Sequence, residues 1–255
     1  KVLKAASLEP AQLKEKRAEA VRRAEDAARA VEAKKQVYAW AVVVDLEGKP
    51  PNVCEFPAIV LDTETGCEVG RFHRWVRSEH AKFGSRARNP NSTGELFPVA
   101  FAGFHKFLRD LGVDGDKAIL VCCGDFDANA LYSMLKDYHV EVPDFLSRWV
   151  NLKDAVLRME HARLPSLDLK ELAVELDGMN KLADYLEIPG IHKSVDIELH
   201  HLGMFDTTKI AMILVHLIMC RGLVVRETAT RNIATGKVKP LDGPRIKNFK
   251  QFWTQ

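Results

Sequence analysis

Paired cysteines are the first thing the sequence lacks. The 255 residues include five cysteines, and no two of Cys54, Cys67, Cys122, Cys123 and Cys220 form Cys-x-x-Cys. An odd number without ligand spacing excludes a disulfide framework and a zinc site, and points to reduced intracellular thiols. Long apolar runs are lacking as well. Ile210 to Cys220 is the longest, and His216 interrupts it. It is too short to span a bilayer, so no membrane association is expected. A large net charge is also absent. The balance is +2, so any polyanion must be bound through local patches rather than by the chain as a whole. No internal repeat and no secretory leader is recognisable. Cytoplasm or nucleus is the expected compartment. A chain starting at Lys1 rather than Met leaves a removed targeting segment open, and with it an organelle such as the mitochondrion.

What is present can bury a substantial core, with 47% of residues hydrophobic and a length that suits one α/β domain with appendages. Residues 8–36 are rich in Ala and in charges of both signs and contain no Gly. They read as one charged helix with Ser7 as its cap and Pro10 in its first turn. Its apolar face is thin, which suits either a solvated arm or a helix that docks on a protein or ribonucleoprotein partner. Val37–Leu46, Phe56–Asp62 and Glu68–Arg77 read as strands, the last two joined by Thr63–Gly66 as a hairpin turn. Ala118–Cys123 reads as a fourth strand. Helices are expected near 95–111, from about Asp127, through Leu146–Glu160 and Asp168–Leu176, and from Thr207 onward, with Leu223–Thr228 as a last strand. The pattern is α/β, a mixed sheet flanked by helices, with domain bounds at 1–36, 37–226 and a basic tail 227–255.

The chemistry turns on acids. Asp45-Leu46-Glu47 and Asp62-Thr63-Glu64 each follow an apolar run, and two carboxylates one residue apart at a strand end suit a divalent ion. Asp45 ends the most apolar strand, and sites in α/β sheets gather at strand carboxyl ends. Asp62 stands at the mouth of a tight turn, where Asp and Thr are ordinary. The residues therefore favour Asp45/Glu47 as the functional pair. Asp125 and Asp127 open a helix after a buried strand, where the dipole favours acids, so each suits a helix start. Asp127 suits equally well a third carboxylate facing the first pair. His200 and His201 precede a Gly that fits poorly inside a helix, and Asp206 lies near the start of the last long helix.

Taken in order, Asp-x-Glu on a first strand, Phe-Asp at a helix start and His-x4-Asp entering a late helix resemble the DEDDh exonucleases. The segments CEFPAIVLDTETG, CCGDFDANAL, RWVNLKDAV and HHLGMFDTTKIAMI are similar to one branch of them. That branch comprises the enhanced-RNAi 3′-to-5′ exoribonucleases that trim histone mRNA, small RNA and ribosomal RNA ends, and the likeness runs over roughly 38–223. It implies an RNase H-like fold, with Asp45, Glu47, Asp127 and Asp206 as ligands of two Mg²⁺ or Mn²⁺ ions and His201 as general base. It also implies single-stranded RNA, or an RNA 3′ end, as substrate, released stepwise as nucleoside 5′-monophosphates. Leu46 and Gly48 stand where the family contacts the terminal nucleotide. Leu46 replaces an aromatic there, and Phe205 replaces the first acid of the family's Asp-Asp. Lys82, Arg86 and Arg88, in a basic loop the family does not share, suit backbone phosphates. So do Arg231, Lys237, Lys239, Arg245, Lys247 and Lys250 of the tail, with Phe252 and Trp253 as stacking rings. Two alternatives stand beside this reading: a nuclease fold serving as an RNA-binding scaffold in a larger particle, and a DNA exonuclease.

Overall fold

A computed structural model describes residues 22, 35–77, 94–166, 168–176, 178–188, 191 and 203–241. Residues 1–35 form a unit apart from 36–255. The expected N-terminal helix therefore lies almost wholly outside the described residues, as do His200, His201, the loop carrying Lys82, Arg86 and Arg88, and the chain from 242 on.

The body is built on a mixed sheet. Its strands are β1 (Trp40–Val44), β2 (Glu47–Lys49), β3 (Asn52–Asp62), β4 (Glu68–Arg77), β5 (Glu95–Leu96), β6 (Ala118–Cys122), β7 (Arg148–Asn151), β8 (Ala229–Arg231) and β9 (Val238–Pro240). Their spatial order is β5-β4-β3-β1-β6-β7-β8-β9, with β2 paired to β3. β1 runs antiparallel to β3 and parallel to β6, which in turn runs parallel to β7. The middle of the sheet is thus covered on both faces, which is why β1 and β6 are apolar at every position.

Period-two alternation divides the core. Val42, Val44, Leu120 and Cys122 face α1 (Phe97–Asp110) and α2 (Phe126–Asp137), where Phe97, Phe101, Phe104 and Leu131 pack. Ala41, Val43, Ile119 and Val121 face the other layer. That layer holds α3 (Leu152–Arg163), α4 (Leu169–Glu175), α5 (Met179–Tyr185) and α6 (Gly203–Arg221). By length and mean hydropathy, α6 is long and apolar enough to cross a membrane. Here its apolar face is spent on the sheet: Ile210, Ile213, Leu214 and Leu217 are fully buried in this second core.

Three expectations are corrected. Arg148–Asn151 is a strand, not the start of a helix. The four residues run straight into α3, so the helical spacing of Leu152–Arg163 masks them. Leu223–Thr228 is not a strand; β8 begins at Ala229. The chain beyond 226 is not simply a tail, because β8 pairs with β7 and β9 with β8. Arg231, expected to meet phosphates, is 5% exposed. Its guanidinium lies over the rings of Tyr132 and Trp149 and donates to the Ala128 carbonyl and the Asn129 side chain. Lys237 and Lys239 remain exposed.

Candidate active site

β1 delivers Asp45 at its C-terminal end, and the chain turns at once into β2, which begins with Glu47. Gly48 allows that turn. Its φ is +93°, and a Cβ there would lie 2.3 Å from the Asn52 carbonyl oxygen. Leu46, between the two acids, is buried. Its side chain belongs to the core under α1 and α2. Its N–H donates to Asp127 Oδ1 at 2.8 Å. Asp127, in the first turn of α2, thereby ties that helix to the loop carrying the acid pair.

Asp206 arrives from the far side, in the first turn of α6. Gly203 lets the helix approach. A Cβ on it would lie 3.0 Å from the Asp45 carbonyl oxygen and 3.2 Å from Glu47 Cγ. As a result one carboxylate oxygen each from Asp45, Glu47 and Asp206 falls within 4.8 Å of the others. Asp127 stands outside that triangle, yet its charge acts on Asp45 more strongly than any other neighbouring carboxylate. Asp127 and Asp206 are only 5% and 4% exposed. Lys209 reaches back one turn, its Nζ 3.7 Å from Asp206 Oδ1.

Such crowding is electrostatically costly. Burial, then repulsion from Asp127, Asp206, Glu47 and Glu55, holds Asp45 well above its ordinary range. Burial and repulsion from Asp206, Glu55 and Asp127 push Glu47 up to about 7. Burial pushes Asp127 to about 7 as well, against the opposing pull of the Leu46 N–H. Without a counter-ion these groups would take up protons. A hard cation fits the arrangement. Oxygens around one ion at ~2.0–2.6 Å lie at most about twice that apart, and carboxylates are the donors Mg²⁺ and Mn²⁺ prefer.

Asp62 and Glu64 lie elsewhere. Asp62 Oδ1 accepts from the N–H groups of Glu64 and Thr65 and from Thr65 Oγ1. The Thr65 N–H, more than its other partners, holds Asp62 below its ordinary value. Asp125 precedes α2 but makes no side-chain cap. It accepts instead from Trp149 Nε1 at 2.8 Å and Asn151 Nδ2 at 3.3 Å, joining the start of α2 to β7. His201, the expected base, and Lys82, Arg86 and Arg88 fall outside the described residues.

Sequence reasoning gave Glu55 no role. It is 2% exposed on β3, and its carboxylate accepts from the N–H groups of Gly203 and Met204 and pairs with His73 Nε2. The signal was available: an acid within an apolar strand must find partners when buried. Phe126, beside Asp127, is a large apolar residue left 46% exposed.

No family model matches the chain. It is 26% identical to an uncharacterised exonuclease domain-containing protein of Arabidopsis thaliana, over 78% of this chain and 59% of that protein. Among solved structures, a 3′-exonuclease described as recognising the histone mRNA stem-loop superposes with a TM-score of 0.62 at 18% identity, covering 82% of this chain and 92% of that one. Cell-death related nuclease 4 gives a TM-score of 0.61 at 18% identity, over 76% and 68% of the two chains. The nuclease domain of a DEDDh family member bound to rAMP gives 0.59 at 19% identity, over 76% and 98%.

Proposed function

We propose that this chain, which has the RNase H-like fold of the DEDDh exonucleases, is a metal-dependent 3′-to-5′ exoribonuclease. The carrying observation is the meeting of Asp45, Glu47 and Asp206 at one point, with Asp127 alongside, where the start of α6 touches the end of β1.

In this reading Asp45, Glu47, Asp127 and Asp206 would hold two Mg²⁺ or Mn²⁺ ions. When bound, such ions would supply positive charge to the scissile phosphate, the attacking water and the departing 3′ oxygen. His201, with an ordinary pKa of about 6.5, accepts the proton as that water attacks phosphorus. The P–O3′ bond breaks, and the product is a nucleoside 5′-monophosphate. The exposed ring of Phe126 offers a face for the terminal base to stack on. Lys82, Arg86 and Arg88 neutralise phosphates further along the strand. RNA is preferred to DNA because the quoted segments resemble the RNA-trimming branch, and because structural neighbours are described with histone mRNA and with rAMP. The basic residues beyond 241 add affinity, and the N-terminal segment offers a docking surface for a protein or ribonucleoprotein partner. A cytoplasmic, nuclear or mitochondrial RNA end would serve equally.

Incubation of the protein with 5′-labelled single-stranded RNA and with DNA of the same sequence, in Mg²⁺ or in EDTA, tests the reading. A ladder of shortened RNA that EDTA abolishes is expected. A ladder from DNA alone would make it a DNA exonuclease. RNA that is retarded on a gel but stays intact would make it a binding scaffold.

A further inference from the structure

Glu55 is an expensive residue where it stands. It lies opposite Glu47 in the β2–β3 register, and its charge raises the proton affinity of both Asp45 and Glu47. A fifth acid therefore adds to the repulsion among the four. Its bonds suggest what offsets this. Oε2 accepts the Gly203 N–H at 2.9 Å and Oε1 the Met204 N–H at 3.0 Å. These belong to the first turn of α6, whose N–H groups have no acceptor within the helix. A short cap from the preceding residue would satisfy them without placing a charge beside Glu47. A carboxylate reaching across from β3 does something a local cap does not: it fixes the helix to the sheet. His73 Nε2, on the neighbouring strand β4, holds Oε1 at 2.9 Å from the other side.

Gly203 is the second half of the same contact. Its Cα approaches so closely that an added methyl would lie 3.0 Å from both the Asp45 carbonyl oxygen and Pro57 Cγ. One helical turn later the chain reaches Asp206. The separation between Asp206 and the Asp45/Glu47 pair is thus set where Glu55 draws the end of α6 onto strands that Gly203 allows it to touch.

We propose that Glu55 is a positioning residue for the metal centre, and that with Gly203 it sets the distance from Asp206 to Asp45 and Glu47. This rests on the metal-dependent reading above. The experiment reads Mn²⁺ binding alone, by calorimetric titration of the full chain, together with kcat and KM on single-stranded RNA. Glu55→Gln keeps the shape and one acceptor but presents an NH₂ to one of the two N–H groups. Its Mn²⁺ Kd is expected to rise about 10-fold or more, as is usual when a group orienting a ligand is lost. kcat should fall while KM for RNA holds. Gly203→Ala keeps every charge and shifts only the helix, so a similar rise in Kd is expected there. If Gly203→Ala binds Mn²⁺ as the wild type does, Glu55 acts through its charge and the positioning role is wrong. Wild-type Kd and kcat in Glu55→Gln would also overturn it. Should Glu55→Gln fail to fold, Gly203→Ala alone decides. A wild-type chain that takes up no Mn²⁺ would instead remove the functional reading on which this rests, an outcome distinct from unchanged variants.

Discussion

Asp45 and Asp62 both close an apolar strand, both begin Asp-x-Glu, and they meet opposite fates. Asp62 enters a four-residue turn whose N–H groups converge on it, so its charge is stabilised and it titrates low. Asp45 leaves β1 into a crowd of carboxylates brought by β2, α2 and α6, so its charge is opposed and it titrates high. The difference does not lie in the tripeptide. It lies in what the fold places opposite: backbone donors in one case, the start of a glycine-led helix in the other. The acid cluster stands out because charge is opposed there, whereas in the turn it is stabilised.

The largest effect expected from this contrast is on catalysis. Asp45→Asn or Asp206→Asn should lower single-turnover RNA cleavage by about 10³-fold, the scale seen when one electrostatic stabiliser is removed from a hydrolytic site. Circular dichroism should remain that of the folded chain. Asp62→Asn should cleave at the wild-type rate. Wild-type cleavage by Asp45→Asn, or a dead Asp62→Asn, would reverse the assignment of the two pairs.

Stability should separate the regions next. Glu47 and Asp127 move from ordinary values of 4.5 and 3.8 to about 7, and Asp45 moves in the same direction. The folded state therefore holds more protons than the unfolded one between about pH 4 and pH 7, and stability falls as pH rises through that window. In EDTA, the melting temperature should drop by about 5 °C or more from pH 4.5 to pH 7.5, which corresponds to a loss of about 2 kcal/mol for a chain of this size. Adding Mg²⁺ at pH 7.5 should restore it. A metal-free melting temperature that is flat or rising across the window would mean the acids are not crowded as described. Asp62 has the opposite sign. Its contribution is present above its ordinary 3.8 and is lost as pH falls below that value.

Much of this was legible in the sequence for a simple reason. β1 and β6 are uninterrupted apolar runs and β3 is apolar from Phe56 to Leu61, so their burial can be read from the sequence pattern. β7 was hidden because four strand residues lead directly into helical spacing. Arg231 was misread because composition registers a charge but not the Tyr132 and Trp149 rings that cover it. The burial of Leu46 between two acids was not visible either, because the fold carries its side chain into the core. Glu55 was passed over because its three partners, Gly203, Met204 and His73, come from other elements. Order along the chain conveys which acids belong together. It does not convey which group sets their separation.

The two basic regions near the C-terminus extend the contrast to charges of the other sign. Arg231 is enclosed and held through its two terminal nitrogens, whereas Lys237 and Lys239 project from the last hairpin into solvent. Arg231→Ala should lower the melting temperature by about 2–4 °C for each kcal/mol lost, through the unfilled space and the abandoned Ala128 carbonyl, and leave RNA affinity in the folded protein unchanged. The double variant Lys237→Ala/Lys239→Ala should do the reverse, though weakly. Each phosphate contact removed should lower the slope of log affinity against log salt by about 0.7 for a single strand, with no change in melting. A loss of RNA affinity confined to Arg231→Ala would show that the guanidinium leaves its rings to meet the substrate, and that β8 opens when RNA binds.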